Sequence, residues 1–289
     1  MARLSTCAKK MKHTPRLPSR NHNVTPVSPI RELLILLGGL VAAMVLIYVL
    51  LGLGADLLVE HISPQTEQKL ASFFAPKKNP GQGQSAKEQW LQSLVDRMEA
   101  KKCVRLPYPI TVQVSPGKHV NAMALPGGRI VVLDGLLERV RSENEMAFIL
   151  AHELGHFKHR DHLRGLGRGL VFAVVSTLIG GSDGALAGLV HKSVQVSESS
   201  FSRDQESAAD SYAQDVLNCT YGHVSGATDF FHHMPRKQDP GAIGHYFSSH
   251  PENQRRINSL LNRQQEKHYP NGTRIPLPPG SRKDVSPAK

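Results

Sequence analysis

Cysteine is scarce. Cys7, Cys103 and Cys219 are the only three in 289 residues, too few and too scattered for a disulfide framework or a metal knuckle. Aromatic residues make up only 6% of the chain, with a single tryptophan, which argues against a nucleic-acid surface of basic and stacking side chains. Charged residues are limited to 20% against 40% hydrophobic, a balance that suits a chain with a core and not wholesale disorder. No internal repeat is evident. A glycine-rich phosphate loop is also missing, because Gly165, Gly167 and Gly169 do not follow a strand as such a loop requires.

The one excess is positive charge, +11 in total. Seven basic residues and one acid fall in residues 1–32, and eight basic residues and two acids in residues 255–289, so the tails carry +12 and the body between them −1. A neutral body with basic ends does not predict a nucleic-acid partner.

Residues 33–54, LLILLGGLVAAMVLIYVLLGLG, contain no charge. As a helix they reach about 33 Å, enough to cross a hydrocarbon core of about 30 Å. The run exceeds the apolar core of a cleaved signal peptide and leads into Asp56 and Glu60 instead of a small-residue cleavage site, which predicts an uncleaved anchor in the bilayer. Because the basic residues precede it, the positive-inside bias puts the N-terminus in the cytoplasm and the rest outside, in the periplasm if the cell is bacterial. An acid-free stretch over residues 1–31 also admits a mitochondrial presequence. Cys103 and Cys219 could pair in an oxidising compartment, leaving Cys7 across the membrane; three ordinary thiols is the other reading.

The organisation expected is a basic cytoplasmic tail at 1–32, the anchor at 33–54, a linker at 55–86, a folded domain at 87–266 and a disordered Pro-rich tail at 267–289. Trp90, Leu91, Leu94, Val95 and Met98 recur at helical spacing. Strand-like stretches lie at 110–114, around 119–124 and at 129–133, with a turn at Pro126-Gly127-Gly128. The apolar stretch 170–190 is interrupted by Gly180, Gly181, Asp183 and Gly184, and reads as a helical hairpin or a lid.

The chemistry centres on Ala151-His152-Glu153-Leu154-Gly155-His156. Ser142 and Glu145 form a capping-box signature before it, so the motif belongs on a helix. Residues four apart share a helix face, and His152 and His156 can bind one Zn²⁺. Glu153, about 100° round the axis, can reach a metal-bound water as general base. A catalytic zinc needs a third protein ligand. Glu206 in FSRDQESAAD supplies it if that segment is helical, and Asp210 on the same face can accept the other ring N–H of a liganding histidine. His159 and His162 read as surface residues favoured by the helix C-terminus.

Four stretches in order, NAMALPGGRIVVLDGLL at 121–137, AHELGH at 151–156, SRDQESAAD at 202–210 and SSHPENQRRI at 248–257, make the chain resemble the integral-membrane gluzincin peptidases. That family includes HtpX, the CAAX prenyl-protein endopeptidases and the mitochondrial Oma proteases. The resemblance covers about residues 88–262. It implies one zinc on His152, His156 and Glu206, with Glu153 as base. It also implies that Asn121, Ala122, Met123 and Ala124 line the cleft as a substrate-binding strand, that His250 steadies the developing oxyanion, and that Arg256 matches the arginine beside the substrate. Met123 stands where the family often has an aromatic, and this chain shows one clear span where HtpX has several.

The expected fold is therefore α+β and mainly helical, a zincin-like metallopeptidase domain with a small β-sheet behind one transmembrane helix. Its expected function is hydrolysis of protein or peptide substrates in envelope quality control. Two rivals remain. One is a zinc-stabilised chaperone or adaptor that binds clients without cleavage, and the other a mitochondrial inner-membrane stress protease.

Overall fold

The uncharged run near the N-terminus forms most of α1, Pro29–Val59. In the computed structural model, residues 28–74, 84–180, 201–233, 250 and 254–281 are described, and side chains at 70–74 and 172–180 are not. Residues 1–47 and 48–289 are two separate compact units. Among the described residues, α1 is the one helix long and apolar enough to cross a membrane. It extends beyond the expected 33–54 at both ends, and its leucines, isoleucines and valines are exposed except for Val59 at its end, as lipid-facing side chains would be.

The expected linker at 55–86 needs correction. Residues 55–59 complete α1, and α2, Pro64–Phe74, follows. Glu67 on α2 is 1% exposed and lies 2.8 Å from the His162 ring. A polar composition read as linker thus includes a helix that docks through one buried, partnered carboxylate. The same contact corrects His162, which is buried and not on the surface.

In the second unit, Ser85 and Glu88 close a capping box at the start of α3, Ala86–Ala100. Leu91, Leu94, Val95 and Met98 are fully buried on its inner face, with Trp90 packed at the edge. The sheet has strands β1, Thr111–Ser115, β2, Ala122–Leu125, and β3, Arg129–Leu133, in the order β1-β3-β2. β1 runs parallel to β3 and β2 antiparallel to it, with Ala124 opposite Ile130 and Ala122 opposite Val132. Gly128 closes the β2–β3 turn at φ +78°, where a Cβ would lie 2.4 Å from the Pro109 carbonyl oxygen, so only glycine fits. The turn α4, Asp134–Leu137, leads to α5, Glu143–Lys158.

α5 is buried at every residue from 143 to 157, because β2, α3 and α7, Arg203–Tyr221, all pack against it. The Ser142 hydroxyl caps it by accepting the Glu145 N–H, while Glu145 reaches back one residue further than expected, to the Arg141 N–H at 2.8 Å. After the left-handed Arg160, α6, Asp161–Gly180, turns back along the end of α1, with Arg168 2.7 Å from Asp56. The apolar stretch 170–190 is helical to Gly180, and its second half, with the Gly-Ser-Asp-Gly break, lies outside the described residues. The short α8, Asp229–His233, and the amphipathic α9, Gln254–Glu266, complete the helices.

The expected disordered tail at 267–289 is also corrected. Its first part is a strap. The Tyr269 hydroxyl donates to Asp215, Gly272 N–H to Ser225 Oγ at 2.9 Å, Ile275 N–H to Asn144 Oδ1 at 2.8 Å, and Glu143 N–H to the Ile275 carbonyl at 2.8 Å. A proline-rich segment has no periodicity to read, yet its backbone groups find partners at the start of α5. Cys103 and Cys219 are bonded, with Cα atoms 5.7 Å apart, joining the loop after α3 to the last turns of α7.

Candidate metal centre

Gly155 makes the centre possible. A Cβ there would sit 2.9 Å from the Ala209 Cα, so its absence lets α5 and α7 approach backbone to backbone and brings Glu206 and Asp210 under the two histidines. α7 is helical as the motif requires, and Glu206 and Asp210 share its inner face, both buried.

His152 Nε2 and His156 Nε2 lie 3.1 Å apart, and each is 3.5 Å from a Glu206 carboxylate oxygen. Donors bound to one tetrahedral zinc at about 2.0–2.1 Å would stand about 3.3 Å from one another. His250 joins them, with Nδ1 2.9 Å from Glu206 and 3.2 Å from His152 Nε2. All four residues offer ligand atoms within 4.8 Å of one another. The group fits a metal in charge as well as in spacing. Glu153, Glu206, Asp210 and Asp161 are all buried, and the buried guanidinium of Arg256 pairs with two of them, Glu206 and Asp210. Such an excess of carboxylate favours a cation.

Behind each imidazole stands a carboxylate. His152 Nδ1 lies 3.0 Å from Asp210, as the helical spacing predicts, and His156 Nδ1 lies 3.0 Å from Asp161. With Nδ1 engaged, each Nε2 is turned to the shared point. Nothing in the sequence pattern pointed to Asp161, which lies past the end of α5 beyond a left-handed residue. Its other oxygen accepts from Gln205 Nε2 at 2.8 Å, and Phe201 stacks on the His156 ring at 3.9 Å.

Arg256 departs from the expectation of a residue beside the substrate. Its Nε and Nη2 donate to Asp210 at 2.8 and 2.7 Å, and its Nη1 lies 2.6 Å from Glu206. A guanidinium this deeply paired serves the carboxylates. Among the strand residues expected at the cleft, Asn121 and Ala122 are buried, while Met123 and Ala124 are half-exposed on β2 at the sheet edge.

Glu153 is buried, with its Oε1 3.6 Å from His250 Nε2 and the Ala124 backbone within its reach. Burial lifts it to about 7, although both histidines pull the other way. Burial also lowers His152 and His250. For His156, burial works downward and is overcome by Asp161 and Glu206, which raise it to about 9. Glu206 is held well below the carboxylate range: burial opposes this, and His250 and His152 outweigh it. The centre thus keeps Glu206 ionised and places next to it a carboxyl that can hold or release a proton near neutrality.

The chain is similar to several known proteins. The chain is 32% identical over 142 residues to the mitochondrial metalloendopeptidase OMA1 of Arabidopsis thaliana, covering 49% of this chain and 29% of the relative. It is 28% identical over 160 residues to metalloprotease LoiP of Escherichia coli, covering 54% and 63%. Protease HtpX of Pseudomonas entomophila is 33% identical over 96 residues, 32% of this chain and 30% of the relative. The chain therefore spans 29–63% of the length of these relatives. Residues 85–264 match peptidase family M48, and the chain belongs to that family.

Proposed function

We propose that the protein is a membrane-anchored zinc metalloendopeptidase, with the bilayer contacted through residues 33–54 and protein or peptide chains as substrates. One observation carries this reading: two imidazole nitrogens and a carboxylate meet within 3.1–3.5 Å beside the buried carboxylate of Glu153. His152, His156 and Glu206 would hold one zinc. When bound there, the ion supplies Lewis-acid activation of a water and of the scissile carbonyl. Glu153 accepts the proton of the attacking water and passes it to the departing amine. Asp210 and Asp161 fix the two rings, and Arg256 balances Asp210 and Glu206. His250 donates to the developing oxyanion once its ring leaves Glu206, and the edge of β2 at Met123 and Ala124 receives the substrate as an added strand.

The catalytic domain is assigned to the outside of the cytoplasmic membrane, where it would remove damaged envelope proteins. The seven basic residues before the anchor support this, and so does the Cys103–Cys219 bond, which belongs in an oxidising space. The similarity to a mitochondrial relative keeps the inner mitochondrial membrane as a second address. Mass spectrometry of the mature N-terminus separates the two: an intact basic segment fits the first, and removal of most of residues 1–31 fits the second. A chaperone that never cleaves has no use for Glu153.

The chemistry is tested by zinc content and casein cleavage. Glu153→Gln is expected to keep zinc and lose proteolysis by at least about a hundredfold, and His152→Ala to lose both. A fully active Glu153→Gln protein contradicts the assignment.

A further inference from the structure

Three consecutive residues after α5 do three different jobs. Arg160, in the left-handed region at φ 59°, points its Nη1 at the Val59 and Ile62 carbonyl oxygens, 2.7 and 2.8 Å away, where α1 ends. The Val59 carbonyl belongs to the last turn of α1, and the Ile62 carbonyl to the short link before α2. Asp161 holds His156 Nδ1 at 3.0 Å with one oxygen and Gln205, the neighbour of Glu206, with the other. His162 Nε2 lies 2.8 Å from Glu67 on α2. Glu67 in turn accepts the Gly127 N–H at 3.1 Å, in the turn joining β2 to β3, and meets the Tyr108 hydroxyl.

The residue that orients His156 is thus flanked on both sides by side chains fastened to the segment where the chain leaves its apolar run. A buried glutamate and histidine are costly to keep out of water unless each is answered. Here each is, and the pair spans 95 positions in sequence to do it. An ordinary tether has no need of such contacts, since a flexible linker carries a domain without docking to it.

We propose that Arg160, Asp161 and His162 are positioning residues that couple the orientation of His156 to the docked segment 59–67, making that segment part of the catalytic unit. Through Gly127 the same Glu67 also steadies the hairpin whose edge strand borders the cleft. A displacement of the turn by less than an ångström at Asp161 would swing Nε2 of His156 off the shared point, and metal sites tolerate only about half an ångström of error. This coupling rests on the zinc-peptidase reading above.

The test uses the full chain in proteoliposomes, with zinc affinity from chelator competition, the visible spectrum of the cobalt-substituted protein, and kcat and KM on a peptide. Asp161→Asn is expected to weaken zinc about 10–100-fold. Glu67→Gln and Arg160→Lys, whose side chains touch no expected zinc ligand, should weaken it about 3–10-fold, alter the cobalt spectrum, and lower kcat with KM within about twofold. Glu67→Gln should add less in the Asp161→Asn background than alone. Leu260→Ala, a buried substitution on α9, gives the comparison for a loss of stability alone. The coupling is overturned if Glu67→Gln and Arg160→Lys lower the Tm as Leu260→Ala does yet keep wild-type zinc affinity and cobalt spectrum. Should Glu67→Gln not fold, Arg160→Lys decides by the same readouts. Wild-type protein that binds no zinc contradicts the zinc reading and the coupling with it; variants that match a zinc-binding wild type contradict the coupling alone.

Discussion

His152 and His156 are presented by one face of one helix, and each has a carboxylate at its Nδ1, yet the two rings sit in different electrostatic company. Asp210, behind His152, is already met by two nitrogens of Arg256. Asp161, behind His156, has Gln205 and the more distant Nη1 of Arg164 at 3.4 Å. Burial depresses the basicity of both rings. It prevails at His152, whereas at His156 the less neutralised Asp161, with Glu206, pushes the ring up to about 9. At His152 the charge of His156 adds to the effect of burial, whereas His156 also draws on Glu153.

The largest effect should come from removing what makes the two sides unequal. Arg256→Ala leaves Asp210 and Glu206 buried without their cation, and should cost about 3–5 kcal/mol of stability, read as a fall in Tm of the metal-free protein. A Tm within experimental error of wild type would show that the guanidinium does not balance these groups. Next in size, Asp210→Asn should weaken zinc about 10–100-fold, with chelator competition as the measurement; unchanged affinity would mean that only the His156 side depends on its carboxylate.

The pH dependence is the most discriminating. His156, raised to about 9, carries a proton at neutral pH that zinc must displace, while His152, lowered, does not. Apparent zinc affinity should therefore climb by up to about tenfold per pH unit towards pH 9 and then level off. Asp161→Asn lowers the His156 pKa, so the levelling moves to lower pH, and Asp210→Asn leaves it in place. Chelator titrations between pH 6 and 9 read this directly, and identical profiles for the two variants would contradict the contrast.

The same contrast separates what was legible in the sequence from what was not. His152, Glu153 and His156 on one helix, and Glu206 and Asp210 on another, are placed within each helix by its 3.6-residue period, while the pairing of the two helices was expected from a catalytic zinc's need for a third ligand and from the resemblance. The inner face of α3 and the three short strands were readable for the same reason. Asp161 follows a left-handed turn at Arg160, where no period carries over. The pairing of Arg256 with Asp210 joins residues 46 apart, and that of Glu67 with His162 joins residues 95 apart. Such contacts are products of the tertiary fold, and no local pattern encodes them. The strap at 269–276 escaped similarly, since a proline-rich segment satisfied by partners elsewhere looks in sequence like one satisfied by water.

The central claim is that His152, His156 and Glu206 form one zinc site with Glu153 as the base beside it. Anomalous diffraction at the zinc edge from Glu153→Gln protein, loaded with one equivalent of zinc and a peptide, tests it most directly. The account predicts a single peak about 2.0–2.1 Å from both Nε2 atoms and from a Glu206 oxygen, with the peptide carbonyl facing the residue at 153. A peak elsewhere, or zinc held without Glu206, would contradict it.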